Sequence, residues 1–279
     1  MAIIERHRGS LIALNEPWCV GVLRGAFPTD SFRAWKNGAF PDTMIDRIFL
    51  LLAGLSLGTT AYAADGVILL HGLCRSNSSM VKMESALTEA GFIVENVDYP
   101  SRTAGIARLS DDAIGKALEA SKLKECAKIH FVTHSLGGIM VRSYFKRHHF
   151  ERLGRVVMLG PPNQGSEVVD ELGSWPAFRK LNGPAGGELG TGPDSTPNTL
   201  GPVAFELGVI AGDRSINWIN SMFMIAGKDD GKVSVERTKV TGMKEHLVVH
   251  ATHPFLMKNN AVIENTVRFL RTGSFKVVF

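Results

Sequence analysis

The sequence predicts an α/β protein built on a parallel sheet, and three observations carry this. Short strand-like runs recur at 66–70, 92–98, 128–133 and 155–159, and the first is a continuous apolar run without alternation, which suits a strand covered on both faces. Segments with helical spacing separate them. A strand-then-helix order repeated down the chain packs most simply as a parallel sheet with right-handed crossovers. At 279 residues, 44% hydrophobic and 21% charged, the chain has a globular composition and room for one such domain.

The first strand, at 66–70, leads into His71-Gly72-Leu73-Cys74-Arg75. A helix at about 78–90 sets Met80, Met83, Ala86, Leu87 and Ala90 on one face, and Gly91 ends it. The second strand closes at Tyr99-Pro100. Ser110 is expected to cap a helix whose first turn holds Asp111 and Asp112, where acids favour the helix dipole. The third strand feeds a helix running to about His148, and the fourth lies at 155–159. From 160 to about 215, glycine and proline break the pattern, yet Trp175, Phe178, Phe205, Val209 and Ile210 are embedded there. A long irregular stretch inside a domain is often a lid or a binding loop. A fifth strand is expected at 222–226, a sixth at 246–250, and a last helix at about 258–270.

Ahead of this domain, Met44-Ile45-Asp46-Arg47, the ten-residue apolar run 48–57 and Ala61-Tyr62-Ala63 have the three parts of a secretory signal peptide. The run is short for a bilayer span, although a buried helix or an uncleaved anchor would have the same composition. The expectation is export to the periplasm or the medium, with cleavage after Ala63 and a domain at 64–279. Residues 1–43 show no sustained period and are expected to be a disordered or non-native extension before a start at Met44. Of Cys19, Cys74 and Cys126, the last two would remain after cleavage; in an oxidising compartment they could pair, although a free buried thiol is expected for each. No Cys/His cluster has zinc spacing, so no metal is expected. The net charge of +4 forms no basic stripe with interleaved aromatics, which argues against a nucleic-acid partner.

Thr133-His134-Ser135-Leu136-Gly137-Gly138 sits where the third strand meets its helix. A serine on a sharp strand-to-helix turn lifts its hydroxyl clear of the sheet edge, against the first N–H groups of the helix. An ordinary turn with a polar cap would have the same local pattern. The stretch resembles the nucleophile elbow of the α/β-hydrolases, bacterial lipases and esterases in particular, with Thr133 in place of the pattern's first glycine. The resemblance covers roughly 66–160 and 220–271, not the stretch between. It implies an α/β-hydrolase fold: a mostly parallel sheet of about six strands flanked by helices, with a lid-like insert after the fourth at about 160–215.

The resemblance also assigns roles. Ser135 is the implied nucleophile, with an acid after the fifth strand and a histidine after the sixth. In Lys228-Asp229-Asp230-Gly231-Lys232-Val233 the acid is Asp230, with Asp229 as the alternative. The base is His253, because His246 and His250 fall within or beside the strand. The backbone N–H groups of Leu136 and Leu73 are the implied oxyanion donors. Trp175, Phe178 and Phe205, in the insert, are expected to line the acyl site. The implied activity is cleavage of carboxylic esters by an exported lipase or esterase, with no cofactor. Its substrate would be a small-molecule or lipid ester, met in transient contact with a lipid interface. A thioesterase, an amidase, an acyltransferase or a catalytically silent binding protein would share the same pattern.

Overall fold

The computed structural model describes residues 64–215, 225 and 227–277. Six strands form one sheet: β1 (Gly66–Leu70), β2 (Ile93–Val97), β3 (Ile129–His134), β4 (Leu153–Leu159), β5 (Leu207–Gly212) and β6 (Glu245–Val249). Their order is β2-β1-β3-β4-β5-β6 and every pairing is parallel. The order reverses between β1 and β3. The crevice at the carboxyl ends of strands flanking such a point is where open α/β sheets bind ligands.

The unbroken apolar strands serve two cores at once. In β1, Ile68 and Leu70 join one core, while Val67 and Leu69 join the other. Phe131 and Val132 divide the same way in β3, as do Met158 and Val157 in β4. Fully burying such a side chain stabilises by about 1.5–3 kcal/mol. Helices α1 (Val81–Glu89) and α7 (Asn260–Thr272) cover one face through Met83, Leu87, Val262 and Phe269. Helices α2 (Ile106–Leu118) and α3 (Leu136–Arg147) cover the other through Ile106, Ile114, Ile139 and Met140. Gly91, at φ +90°, ends the turn after α1, and its N–H donates to the Thr88 carbonyl at 2.9 Å.

Two expectations are corrected. Ser110 does not cap α2: the helix starts at Ile106, and the buried Ser110 hydroxyl donates to the Ala107 carbonyl at 2.7 Å. The anion at the start of α2 comes from far along the chain, where Glu188 Oε1 accepts the Ile106 N–H at 3.1 Å. Nor is 160–215 irregular throughout. It holds α4 (Glu167–Leu172), α5 (Pro176–Gly187), α6 (Thr196–Thr199) and strand β5. Val209 and Ile210 are therefore central-strand residues. Most of the stretch expected as the fifth strand, 222–226, lies outside the described residues. So do the signal segment at 44–63 and the extension at 1–43.

Polar ties lock this region to the body. Arg142, buried on α3, donates to the carbonyls of Asn163, Pro197 and Gly201 at 2.9, 3.0 and 2.8 Å. Burial lowers its pKa to about 10. Glu188 Oε2 accepts the Thr196 hydroxyl at 2.8 Å. Among the described residues Cys74 and Cys126 are both free; Cys126 is buried as expected, but Cys74 is exposed.

Candidate active site

Ser135 follows the last residue of β3 and directly precedes α3. Its backbone is held at φ 53°, ψ −119°, in a region that side-chain-bearing residues avoid. The Ser135 N–H donates to the Leu159 carbonyl on β4 at 2.9 Å, which helps fix the turn. Glycines make the close approach possible. A Cβ on Gly137 would lie 2.8 Å from the Leu70 carbonyl, and one on Gly72 2.7 Å from His134 Nδ1 and 3.2 Å from Ser135 Cβ. Thr133 fits fully buried, and its hydroxyl has no hydrogen-bond partner among the described residues. The tight contacts at this elbow fall on Gly72 and Gly137 rather than on position 133.

Asp230 and His253 meet twice. His253 Nδ1 and Asp230 Oδ2 are 2.7 Å apart, and the His253 N–H donates to the Asp230 carbonyl at 2.9 Å. The other carboxylate oxygen accepts the N–H groups of Lys232 and Val233, both at 3.0 Å. Asp230 is completely buried and His253 nearly so. A carboxylate so placed holds the proton on Nδ1 and leaves the Nε2 lone pair free. Gly160, at φ +55°, leaves the necessary room: a Cβ there would lie 3.0 Å from Asp230 Oδ2 and 3.1 Å from His253 Nδ1. Asp229, the alternative acid, accepts the Gly231 N–H at 2.7 Å within its own turn. The other histidines near β6 are engaged elsewhere. His246 Nε2 meets the Thr238 hydroxyl at 2.8 Å, and the exposed His250 pairs with Asp213 at 2.9 Å.

Two further histidines are buried beside the elbow. His134 Nε2–H donates to the His253 carbonyl at 3.0 Å, and the two rings are 4.8 Å apart. Burial holds its pKa well below 6.5, and the charges of His253 and Arg75 add to the effect. His71 stacks on Tyr99 with ring centroids 4.0 Å apart. Its Nδ1–H donates to the Gly72 carbonyl at 2.9 Å while Nε2 accepts the Tyr99 N–H at 3.4 Å. Burial lowers its pKa too, which agrees with this neutral tautomer.

Ser135, His134 and His253 line one cavity of about 490 Å³. Leu73 and Cys74 form part of its wall after β1; Val168, Val169, Phe178, Leu181 and Leu189 supply an apolar wall from the segment after β4. Cys74 is the second residue with a side chain at positive φ, at 56°. Its N–H donates to the Ser101 hydroxyl at 3.0 Å, and its thiol to the Leu181 carbonyl at 3.4 Å. Of the three aromatics expected in the acyl site, only Phe178 is in this wall. Trp175 is 61% exposed at the start of α5 and does not reach it. Phe205 lies just before β5, at the opposite end of the sheet. There it packs on Phe145 with centroids 5.9 Å apart and borders a different cavity. Its backbone belongs to the approach to a central strand, which residue type alone does not reveal.

The sheet order, the helices on both faces and the elbow after β3 make this an α/β-hydrolase-fold protein. Residues 66–189 match a family model described as palmitoyl protein thioesterase. No curated protein sequence matches the chain. Among solved structures, the mature form of the Bacillus licheniformis lipase BlEst2 superposes with a TM-score of 0.60 at 20% identity, over 75% of this chain and 92% of that one. Phospholipase PlaB from Legionella pneumophila gives 0.56 at 18% identity, over 76% of this chain and 58% of that one. A thermophilic esterase from Thermogutta terrifontis gives 0.50 at 15%, over 76% and 91%. At these identities the likeness is one of fold.

Proposed function

We propose that the protein is a serine hydrolase cleaving acyl esters through Ser135, His253 and Asp230. The observation that carries this is the 2.7 Å Asp230–His253 pair sharing a cavity with a serine at φ 53°. In the first half-reaction Ser135 Oγ bonds to the acyl carbon as its proton moves to His253 Nε2. The bond to the leaving oxygen then breaks, and that oxygen takes the proton. In the second half, His253 takes a proton from water, the water oxygen attacks the acyl-enzyme, and Ser135 Oγ leaves with the proton. The Leu136 N–H, in the first turn of α3, is one donor to the oxyanion. Leu73 supplies the other. His71 holds the Gly72 carbonyl, and in a trans peptide the Leu73 N–H points the opposite way. The apolar wall of α4 and α5 receives the acyl chain. Residues 44–63 direct export, and N-terminal sequencing of the exported protein should begin at Ala64.

A thioester substrate is the second reading, favoured by the family model over 66–189. Turnover of matched oxoester and thioester series, by the wild type and Ser135→Ala, tests both. We expect turnover lost in Ser135→Ala, and the relative kcat/KM of the two series selects the leaving atom. Undiminished turnover by Ser135→Ala would contradict the assignment.

A further inference from the structure

The cavity around Ser135 is not electrically neutral. Its lining includes two cationic side chains, Arg75 and Lys232, and no carboxylate. Among the described residues neither makes an ion pair or a side-chain hydrogen bond. They reach the cavity from separate elements. Arg75 lies in the turn after β1, and Lys232 in the turn that carries Asp230, between β5 and β6. Ser135 follows β3, and β3 stands between β1 and β5 in the sheet order. Both cations thus line the cavity that holds Ser135.

Both turns are fixed. The Cys74 N–H bond to Ser101 holds the chain just before Arg75. The Lys232 N–H bond to Asp230 and the Ser166 hydroxyl bond to the Lys232 carbonyl, at 2.8 Å, hold the other. The Arg75 charge is felt inside the site, where, after burial, it is among the causes lowering the pKa of His134 and His71. Low-dielectric walls lined by charge of one sign focus the field on an incoming ligand.

We propose that the substrate is an acyl ester or thioester whose leaving group carries an anionic head such as phosphate, held between Arg75 and Lys232. The proposal rests on the Ser135 hydrolase reading and specifies its substrate. The acyl part faces the apolar wall of Val168, Val169, Phe178, Leu181 and Leu189, so the charge belongs to the leaving group. A neutral glycerol or simple alcohol would leave both cations without a partner.

The test compares two lipids with the same acyl chain, 1-oleoylglycerol 3-phosphate and 1-oleoylglycerol, each at low mole fraction in nonionic micelles. For the wild type at low salt, the kcat/KM of the phosphate ester should exceed that of the neutral ester by about tenfold or more. This ratio should shrink at about 0.5 M salt, where screening acts within a few ångströms. It should fall towards one in Arg75→Gln/Lys232→Gln. Both side chains are exposed, so circular dichroism should show the double variant folded. A wild-type ratio near or below one, or a ratio that survives the double substitution, overturns the proposal. If neutral esters are still turned over and Ser135→Ala abolishes that turnover, the hydrolase reading stands while this one falls. Turnover of neither lipid nor any simple ester overturns both.

Discussion

The imidazole of His134 donates from Nε2 to the backbone carbonyl of His253 at 3.0 Å. The residue before Ser135 thus grips the loop that carries His253, 119 positions further on. His134 is almost wholly buried, and its Nδ1 has no hydrogen-bond partner among the described residues. A single bond of this kind contributes about 1 kcal/mol to stability. Its larger effect is geometric, because a reacting group displaced by about 1 Å can cost about 10²-fold in rate.

Removing this donor should therefore slow chemistry more than it weakens the fold. His134→Phe is expected to lower kcat by about 10- to 100-fold with little change in KM. His134→Gln, which keeps an N–H donor, should recover part of the loss. Equal rates for the two variants, in ester turnover at saturating substrate, would leave the His134–His253 bond without a catalytic role.

Stability should fall on mild acidification. Burial lowers the pKa of His71, His130, His134 and His246 below the ordinary 6.5. The unfolded chain binds their protons more readily than the folded one. Their contribution is therefore fully present above about pH 6.5 and is lost progressively as pH falls towards the folded-state values. The urea midpoint should drop between about pH 7.5 and 5.5, before most carboxylates titrate. His134→Phe should show a shallower drop. A midpoint that holds or rises over this range contradicts the prediction.

The two adjacent aspartates should separate cleanly. Asp230→Asn retains an acceptor for the Lys232 and Val233 N–H groups but turns an amide towards His253, favouring the wrong tautomer. A loss on the order of 10³- to 10⁴-fold in kcat is expected, by analogy with the same change in a protease triad. Asp229→Asn keeps its oxygen for the Gly231 N–H and should be mild. Reversed results in ester turnover would move the acid by one residue.

The three aromatics should behave differently from one another. Phe178→Ala is expected to lower kcat/KM for long-chain esters more than for acetate esters, since it removes part of the apolar wall. Trp175→Ala, mostly exposed, should change neither the chain-length profile nor the melting temperature appreciably. Phe205→Ala should cost about 2 kcal/mol through lost packing on Phe145 and leave the profile unchanged. A p-nitrophenyl ester series read beside thermal melts checks all three.

What was legible in the sequence follows from how local each signal is. The run 66–70 and the junction at Ser135 declare themselves because buried strands and tight turns constrain the residues within them. The pairing of Asp230 with His253 was reachable because each carries a local signal, an Asp-Asp-Gly turn and a histidine just beyond β6. β5 was not, since Leu207–Gly212 follows a Gly- and Pro-rich stretch and has only three apolar side chains, Val209, Ile210 and Ala211, between its two glycines. Its strand character comes from pairing with β4 and β6, which no local pattern records. The start of α2 was misplaced for a similar reason. Its anionic partner, Glu188, is 82 residues away, whereas Asp111 and Asp112 lie close at hand on a helix already under way. Arg142 has no local signature at all, because its acceptors are backbone carbonyls of distant loops.

Whether Ser135 is the nucleophile activated by His253 is read most directly from peptide mapping after treatment with a fluorophosphonate, since the reagent phosphonylates an activated serine and stays attached. One adduct is expected, on the peptide containing Ser135. Labelling should slow by orders of magnitude in His253→Ala, and Ser135→Ala should show no specific labelling. An adduct at another residue, or an unlabelled Ser135 in protein that still hydrolyses esters, would contradict the nucleophile role of Ser135.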